Sequence, residues 1–256
     1  LQDFGSNFLC CTPSYAAYIG ETCREMGVDT SKLPLRAGLF GAEAWSEGMR
    51  DNIEKLLNIH AYDIYGLSEI AGPGVAYECK EKNGLHVCED YFYPEIIDPD
   101  TGEVLPDGEY GELVFTCIGK EALPLVRYRT RDISALVREK CACGRTLVRL
   151  KKLKGRTDDM LIIRGVNVFP SQVEYVLTEM GLEPNYLIVV DRVGLLDTME
   201  VQVEMTPQMF SDAVKDIESY ERRLAAAMQS TLNIAANVKL VAPKSLSRSE
   251  GKAQRV

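Results

Sequence analysis

The sequence predicts an α/β protein. Part of a parallel-sheet large domain carries a small antiparallel, barrel-like β part, and a small C-terminal α+β domain follows. Three observations carry this. Residues 7–64 alternate short apolar runs with amphipathic helical stretches, the pattern of a parallel sheet with crossover helices. Residues 75–137 break into short strands divided by turn clusters, among them Lys82-Asn83-Gly84, Asp98-Pro99-Asp100-Thr101-Gly102 and Leu105-Pro106-Asp107-Gly108. After Gly155 the pattern restarts in the order β-α-β-β-α-β.

The elements follow in order. Asn7 to Cys11 is a short apolar strand, and Thr12-Pro13 supplies an N-cap and a proline for the first helical turn. Tyr15, Ile19, Thr22, Cys23 and Met26 recur at helical spacing, and Gly27 stops the helix. Leu35 to Phe40 reads as a strand ending at Gly41-Ala42-Glu43. Ser46 caps a helix with Met49, Ile53, Leu56 and Leu57 inward, and His60 to Ile64 runs as a third strand into Tyr65-Gly66-Leu67-Ser68-Glu69. In parallel sheets ligands sit past the carboxyl ends of strands, where residues 41–43 and 63–69 both fall. Residues 138–156 hold eight Lys or Arg against one Glu; this is a solvated linker face or a phosphate-attracting wall. Beyond it come a strand at Met160–Ile163 and a helix opened by a capping box at Ser171-Gln172-Val173-Glu174. A strand at Tyr186–Asp191 and an alternating strand at Met199–Met205 follow. A helix carrying Val214, Ile217, Tyr220, Leu224 and Met228 precedes a last strand at Val238–Val241, which completes a ferredoxin-like order. The boundaries expected are 1–154 for the large-domain part (1–74 α/β, 75–137 β-rich, 138–154 basic linker) and 155–256 for the small domain.

Composition narrows the function classes. The chain has 256 residues, 46% hydrophobic and 26% charged, which is a globular mix. A net charge of −9 speaks against a general nucleic-acid binder, so no nucleic-acid partner is expected. No apolar run approaches membrane-spanning length, so no membrane partner is expected either. No signal-like segment opens the chain, and eight cysteines are too sparse for a disulfide scaffold, which places the protein in the cytoplasm with reduced thiols. Three of those cysteines and one histidine form a metal pattern. Cys79 and His86 flank the Lys82-Asn83-Gly84 turn, and Cys141-Ala142-Cys143 is a tight pair, so Cys79, His86, Cys141 and Cys143 make a tetrahedral set for structural Zn²⁺. Cys88 is a substitute ligand, and unliganded thiols are the alternative.

Four further motifs occur in order. They are Asp63-Ile64-Tyr65-Gly66-Leu67-Ser68-Glu69, Tyr128-Arg129-Thr130-Arg131-Asp132, Gly155-Arg156-Thr157-Asp158-Asp159 continuing through Arg164-Gly165 to Pro170, and Ser249-Glu250-Gly251-Lys252-Ala253. As an ordered set they resemble the adenylate-forming acyl/aryl-CoA ligase superfamily. With Tyr91-Phe92-Tyr93-Pro94-Glu95 and residues 164–170, the likeness is to its phenylacetate–CoA ligase family. The resemblance covers essentially the whole chain. It implies an enzyme that activates an aryl carboxylic acid with ATP to acyl-AMP and pyrophosphate, then transfers the acyl group to CoA, releasing AMP. ATP, CoA, Mg²⁺ and the acid are the implied small-molecule partners, and a homodimer is left open.

The same resemblance implies roles. Asp132 accepts the ribose hydroxyls, Glu69 holds Mg²⁺, and Ser68 donates to the α-phosphate. Tyr65 and Gly66 border adenine and substrate, while Gly41, Ala42 and Glu43 form the opposite wall of the adenine slot. Asp63 and Arg156 complete the nucleotide-binding set. Lys252 is the catalytic residue of adenylation, Asp158 the hinge, and Gly165 the loop offered to CoA. The plainer reading of Ser68-Glu69 is a helix N-terminus. No Ser/Thr/Gly-rich phosphate loop precedes Gly41 and residue 1 is Leu, so the chain is expected to be the C-terminal part of a longer ligase. The alternatives are an adenylate-forming ligase with a non-CoA acceptor and, from another class, a noncatalytic zinc-stabilised binding module that uses residues 138–156.

Overall fold

The computed structural model describes residues 1–157, 159–193, 196–206, 209 and 217–246. The chain divides into two compact units, Leu1–Ala44 with Arg50–Asp158, and Trp45–Met49 with Asp159–Val256.

The first unit is built on two sheets. Strands β1 (Phe8–Cys11), β2 (Ala37–Gly41) and β3 (His60–Leu67) pair in parallel, joined by helices α1 (Pro13–Glu25) and α2 (Glu47–Leu57). Strand β4 (Gly72–Glu78) turns back antiparallel on β3, β5 (Leu85–Val87) follows, and two-residue strands β10 (Arg149–Leu150) and β9 (Leu136–Val137) finish the seven-stranded order β1-β2-β3-β4-β5-β10-β9. A second sheet, ordered β11-β8-β7-β6, holds β6 (Phe92–Ile97), β7 (Gly111–Cys117), β8 (Tyr128–Ser134) and β11 (Gly155–Arg156). The β-rich segment, expected to form a small antiparallel, barrel-like part, is shared between the two sheets. Its first strands extend the parallel sheet, because β4 follows β3 through a tight turn and has no crossover. A common core joins Tyr65, Ile70, Val75 and Val87 with Phe92, Ile96, Leu113 and Phe115.

Helix α1 forms as the spacing of Tyr15, Ile19, Thr22, Cys23 and Met26 predicts, but its small residues face inward. Pro13, Ala16, Ala17 and Gly20 are its buried residues, whereas Tyr15, Tyr18 and Met26 are exposed. The small residues permit close approach: a Cβ on Gly20 would sit 2.6 Å from Leu56 Cβ. In α2 the expected Met49, Ile53 and Leu57 are buried, and Ser46 Oγ accepts the Met49 N–H at 3.1 Å as its cap.

In the second unit, β12 (Leu161–Ile163) and β13 (Val166–Val168) form a hairpin of their own. Helix α3 (Pro170–Glu179) follows, then β14 (Tyr186–Val193) and β15 (Leu196–Glu204), helix α4 (Ile217–Leu232) and β16 (Asn237–Val241). The sheet order is β14-β15-β16, antiparallel then parallel. The expected succession of elements is present, with two differences. Strand β12 pairs with the added β13 and not with the main sheet. Arg164 and Gly165 both have positive φ (52° and 78°), as a two-residue primed hairpin turn requires. The expected capping box is also displaced. Pro170 opens α3, and Gln172 Oε1 accepts the Phe169 N–H at 2.9 Å, so the helix starts ahead of Ser171. The core gathers Val173, Val176 and Leu177 with Met199, Val201, Val203, Leu224 and Met228. Val214 lies outside the described residues.

One buried ion pair fixes α2 to the first sheet. Arg50 NH1 and NH2 donate to Glu78 Oε2 and Oε1 at 2.8 and 2.9 Å, and both side chains are 5% exposed or less. NH1 also reaches Ala61 O at 2.7 Å, and Glu78 Oε2 takes the Asp63 N–H at 2.8 Å. Arg50→Met should destabilise the protein by about 3–5 kcal/mol in urea unfolding, because it strands the Glu78 carboxylate. The paired change Arg50→Met with Glu78→Leu should be much milder. Equal losses would mean that the pair itself, and not the stranded charge, sets the energy.

Candidate nucleotide and metal sites

The strand ends at β2 and β3 are built on close backbone approaches. A Cβ on Gly41 would lie 2.1 Å from Ile64 O, and one on Gly66 would lie 2.6 Å from Gly72 O. Ala42 is left-handed at φ 68° and turns the chain so that Glu43 Oε1 takes the Ser14 N–H at 2.6 Å, at the start of α1. Burial, with Cys10 and the Glu43 charge adding, pushes the Cys11 thiol up to about 11. Ser68 and Glu69 are the exposed central residues of a turn closed by Ile70 N–H to Leu67 O at 3.3 Å. The turn leads into β4, so the helix N-terminus reading of this pair does not hold.

Asp132 stands where the two sheets meet. Its Oδ2 accepts the Tyr65 hydroxyl at 2.5 Å, Oδ1 lies 3.7 Å from Arg156 NH1, and its N–H donates to Thr130 Oγ1 at 3.1 Å. Tyr65 is itself buried, its ring 6.1 Å from that of Phe115. Burial first, and the Asp132 charge second, raise the phenol well above its ordinary value, so it remains a donor. Tyr65, expected beside adenine, is therefore also the anchor of the expected ribose carboxylate. The linker joins in: β11 pairs with β8, setting Arg156 opposite Asp132, and Thr157 N–H reaches Arg131 O at 2.8 Å.

Glu112 is a site residue that the sequence patterns do not single out. It is fully buried in β7, Arg129 donates to its Oε2 through Nε at 3.0 Å and through NH2, and Oε1 accepts the Arg131 N–H at 3.2 Å. The register shifts between Glu112 and Val114, and Arg131 has φ 69°, so Glu112 holds the bulge that precedes Asp132. A lone carboxylate beside the apolar run Leu113-Val114-Phe115 was the available signal.

The expected metal set comes together. Strand β10 lies between β5 and β9, with Arg149 opposite His86, and this brings the 141–144 loop to the end of β4. Cys79 Sγ is 3.8 Å from Cys141 Sγ, Cys143 Sγ is 3.6 Å from His86 Nε2, and all four ligand atoms lie within 4.8 Å of one another. Bonds of 2.0–2.3 Å in a tetrahedron give ligand–ligand edges of about 3.3–3.8 Å, so the donor set fits zinc. Cys79, His86 and Cys141 are buried. Backbone N–H donation from Arg145 is the leading cause that lowers the Cys143 thiol to about 7, whereas burial raises Cys79 and lowers His86. Cys88 instead donates to Gly74 O and is no substitute ligand.

The basic segment is largely engaged in structure. Arg138 pairs with Asp107, and buried Arg149 donates to Asn83 O and Glu139 O. Lys151 and Lys154 lie over the Tyr110 ring at 5.4 and 3.7 Å. These contacts match neither a solvated linker face nor a phosphate wall, since Arg149 is buried and β10 belongs to the large sheet. In the other unit Gly165 is the hairpin-turn residue of β12–β13. Asp158 and Lys252 lie outside the described residues.

Residues 165–256 match the family described as the AMP-binding enzyme C-terminal domain. The chain is 48% identical over 260 residues to the phenylacetate-coenzyme A ligase of Pseudomonas putida, covering 99% of this chain and 57% of that protein. It is 46% identical to the Escherichia coli (strain K12) enzyme of the same name, covering 100% and 59%. The relatives that it matches along nearly its whole length are phenylacetate-coenzyme A ligases. The chain thus spans about three fifths of the length of the phenylacetate-coenzyme A ligases it matches. Among solved structures it is similar to a 2-hydroxyisobutyryl-CoA ligase in the postadenylation state with 2-HIB-AMP, at TM-score 0.92 and 28% identity, covering 99% of this chain and 54% of that one. An anthranilate CoA ligase matches at TM-score 0.70 and 16% identity over 98% and 49%, which shows a shared fold.

Gly41 and Gly66 test the geometry of the strand ends of β2 and β3. Gly41→Ala and Gly66→Ala should each destabilise by about 1–3 kcal/mol in urea unfolding, since the added methyl meets backbone that cannot yield cheaply. Wild-type stability in both would contradict the close approaches.

Proposed function

We propose that the protein containing this chain is an AMP-forming acid–CoA ligase that activates a phenylacetate-like aryl acid. The observation that carries the reading is 45–48% identity to phenylacetate-coenzyme A ligases along nearly the whole chain. The Asp132 cluster supports it, since each carboxylate oxygen keeps acceptor capacity for a ribose hydroxyl beyond Tyr65 and Arg156. Arg156 balances the charge beside the ribose, and Tyr65 holds the carboxylate in place. Ser68 donates to the α-phosphate, and Gly41, Ala42, Glu43, Asp63 and Gly66 line the nucleotide. Glu69 would hold Mg²⁺, a hard ion that screens phosphate charge. By resemblance, Lys252 bridges carboxylate and α-phosphate in adenylation only, Asp158 is the hinge, and Gly165 meets CoA. Eight free cysteines fit a reducing cytoplasm, and among the described residues no helix is long and apolar enough to cross a membrane.

Cys79, His86, Cys141 and Cys143 would hold Zn²⁺ in a structural role, cross-linking β4 and β5 to the loop before β10. With four protein ligands the set leaves no open position for catalysis.

Three outcomes test the proposal. In the full-length enzyme Asp132→Ala should weaken AMP binding by about 1.5–3 kcal/mol per hydrogen bond lost, as read by calorimetry; unchanged affinity removes Asp132 from the site. Lys252→Ala should abolish adenylation yet leave thioester formation from supplied acyl-AMP intact; equal loss in both half-reactions refutes the division. Strong chelation should lower the melting temperature, with rescue by Zn²⁺ and not by Mg²⁺. Elemental analysis without zinc sinks the metal assignment.

A further inference from the structure

The Ser68–Glu69 turn has a second layer of support that the ligase reading does not use. Ile70 is fully buried and anchors the turn from below. Next to it Ala71 has φ 145°, a conformation that residues with a side chain rarely adopt and that persists only where the surroundings over-determine it. Two side chains from one segment supply that constraint. Cys117 Sγ, at the end of β7, donates to Ile70 O at 3.6 Å, and Lys120 Nζ, on the loop between β7 and β8, donates to Glu69 O at 2.5 Å. Carbonyls of consecutive residues are thus both captured, and the peptide planes on either side of Ile70 lose their freedom to rotate. Immobilising a lysine stem carries an entropy cost, so this tie has to be favoured by its setting.

We propose that Lys120 is a positioning residue that holds the Ser68–Glu69 turn in the conformation required to bind the phosphate–Mg²⁺ end of ATP. The inference rests on the reading of Ser68 and Glu69 as the α-phosphate and Mg²⁺ residues. The loop that bears Lys120 is itself fastened: Ile118 N–H reaches Tyr91 O at 2.9 Å, Cys117 N–H reaches Leu125 O at 2.9 Å, and Arg127 N–H reaches Thr116 Oγ1 at 2.9 Å. The β7–β8 hairpin thereby serves both ends of the nucleotide. Buried Glu112 shapes the bulge before Asp132 at one end, and Lys120 fixes the turn at the other. The ammonium also places a positive charge beside the backbone of the turn, which favours phosphate there.

The test compares Lys120→Met, Lys120→Arg and Glu69→Gln in the full-length enzyme. It follows acid-dependent pyrophosphate release and, separately, thioester formation from supplied aryl-AMP. Loss of one charge-assisted hydrogen bond should raise the half-saturating MgATP concentration of Lys120→Met about tenfold. Its melting temperature should stay at the wild-type value, its thioester step should fall less than its pyrophosphate release because aryl-AMP keeps the α-phosphate but not the Mg²⁺ end, and Lys120→Arg should recover most of the MgATP affinity. Wild-type MgATP dependence in Lys120→Met overturns the proposal. So does a parallel loss of both half-reactions in Lys120→Met and Lys120→Arg, which marks a merely structural residue. Glu69→Gln separates the two layers. If it leaves the Mg²⁺ dependence unchanged, the turn assignment itself is wrong. If it shifts that dependence while Lys120→Met does not, only the role of Lys120 is wrong.

Discussion

The hydrogen bond from Tyr65 to Asp132 spans the two sheets of the first unit, and the arrangement of the candidate site depends on it. Tyr65 comes from β3 of the seven-stranded sheet and Asp132 from β8 of the four-stranded sheet. Between the sheets the contacts are apolar, with Phe92, Phe115, Leu113 and Val75 in one core, and such packing is non-directional. Apolar contact holds the layers together without fixing their register to a fraction of an ångström. A charge-assisted bond between buried partners does fix it, because misalignment would leave a buried carboxylate short of a donor. The phenol suits this role because its raised pKa keeps the proton on oxygen across the working pH range.

Much of this organisation was legible in the sequence. The β1-α1-β2-α2-β3 order followed from periodicity, and the joining of Cys79, His86, Cys141 and Cys143 followed from residue type and spacing. The inner face of α1 was not legible in this way, because periodicity weights large side chains over small ones. Ala16, Ala17 and Gly20 are inward, and at Gly20 the approach of Leu56 excludes bulk. Strand β13 was hidden because its turn is Arg164-Gly165, and an arginine in a left-handed position gives no hairpin signal of the Asn-Gly kind. Its guanidinium offsets the strain with bonds to Asp197 O and Ala235 O, which are distant in sequence.

The candidate site was legible as a set of residues but not as a network. Asp132, Tyr65 and Arg156 each stand out by motif, whereas their mutual contacts follow from strand pairing between Arg156 and Asp132 and from the Glu112 bulge. Neither is visible locally. A carboxylate buried among strand residues declares its partners only when β8 is laid beside β7. The basic segment shows the converse. A run of like charges suggested a field acting at a distance, yet Arg138, Arg149, Lys151 and Lys154 are occupied by a carboxylate, carbonyls and an aromatic face.

Strands β9 and β10 contain two residues each, which leaves that edge of the large sheet with few ladder bonds. Side chains hold it in their place: Arg149 spans Asn83 O and Glu139 O, Glu89 Oε2 takes the Val148 N–H at 2.7 Å, and the thiol–imidazole cluster closes around it. In amide-exchange terms, such an edge opens as one cooperative piece, since each tie crosses between segments and none protects a single residue alone. Its opening free energy then rests on these side-chain ties as well as on the short ladders.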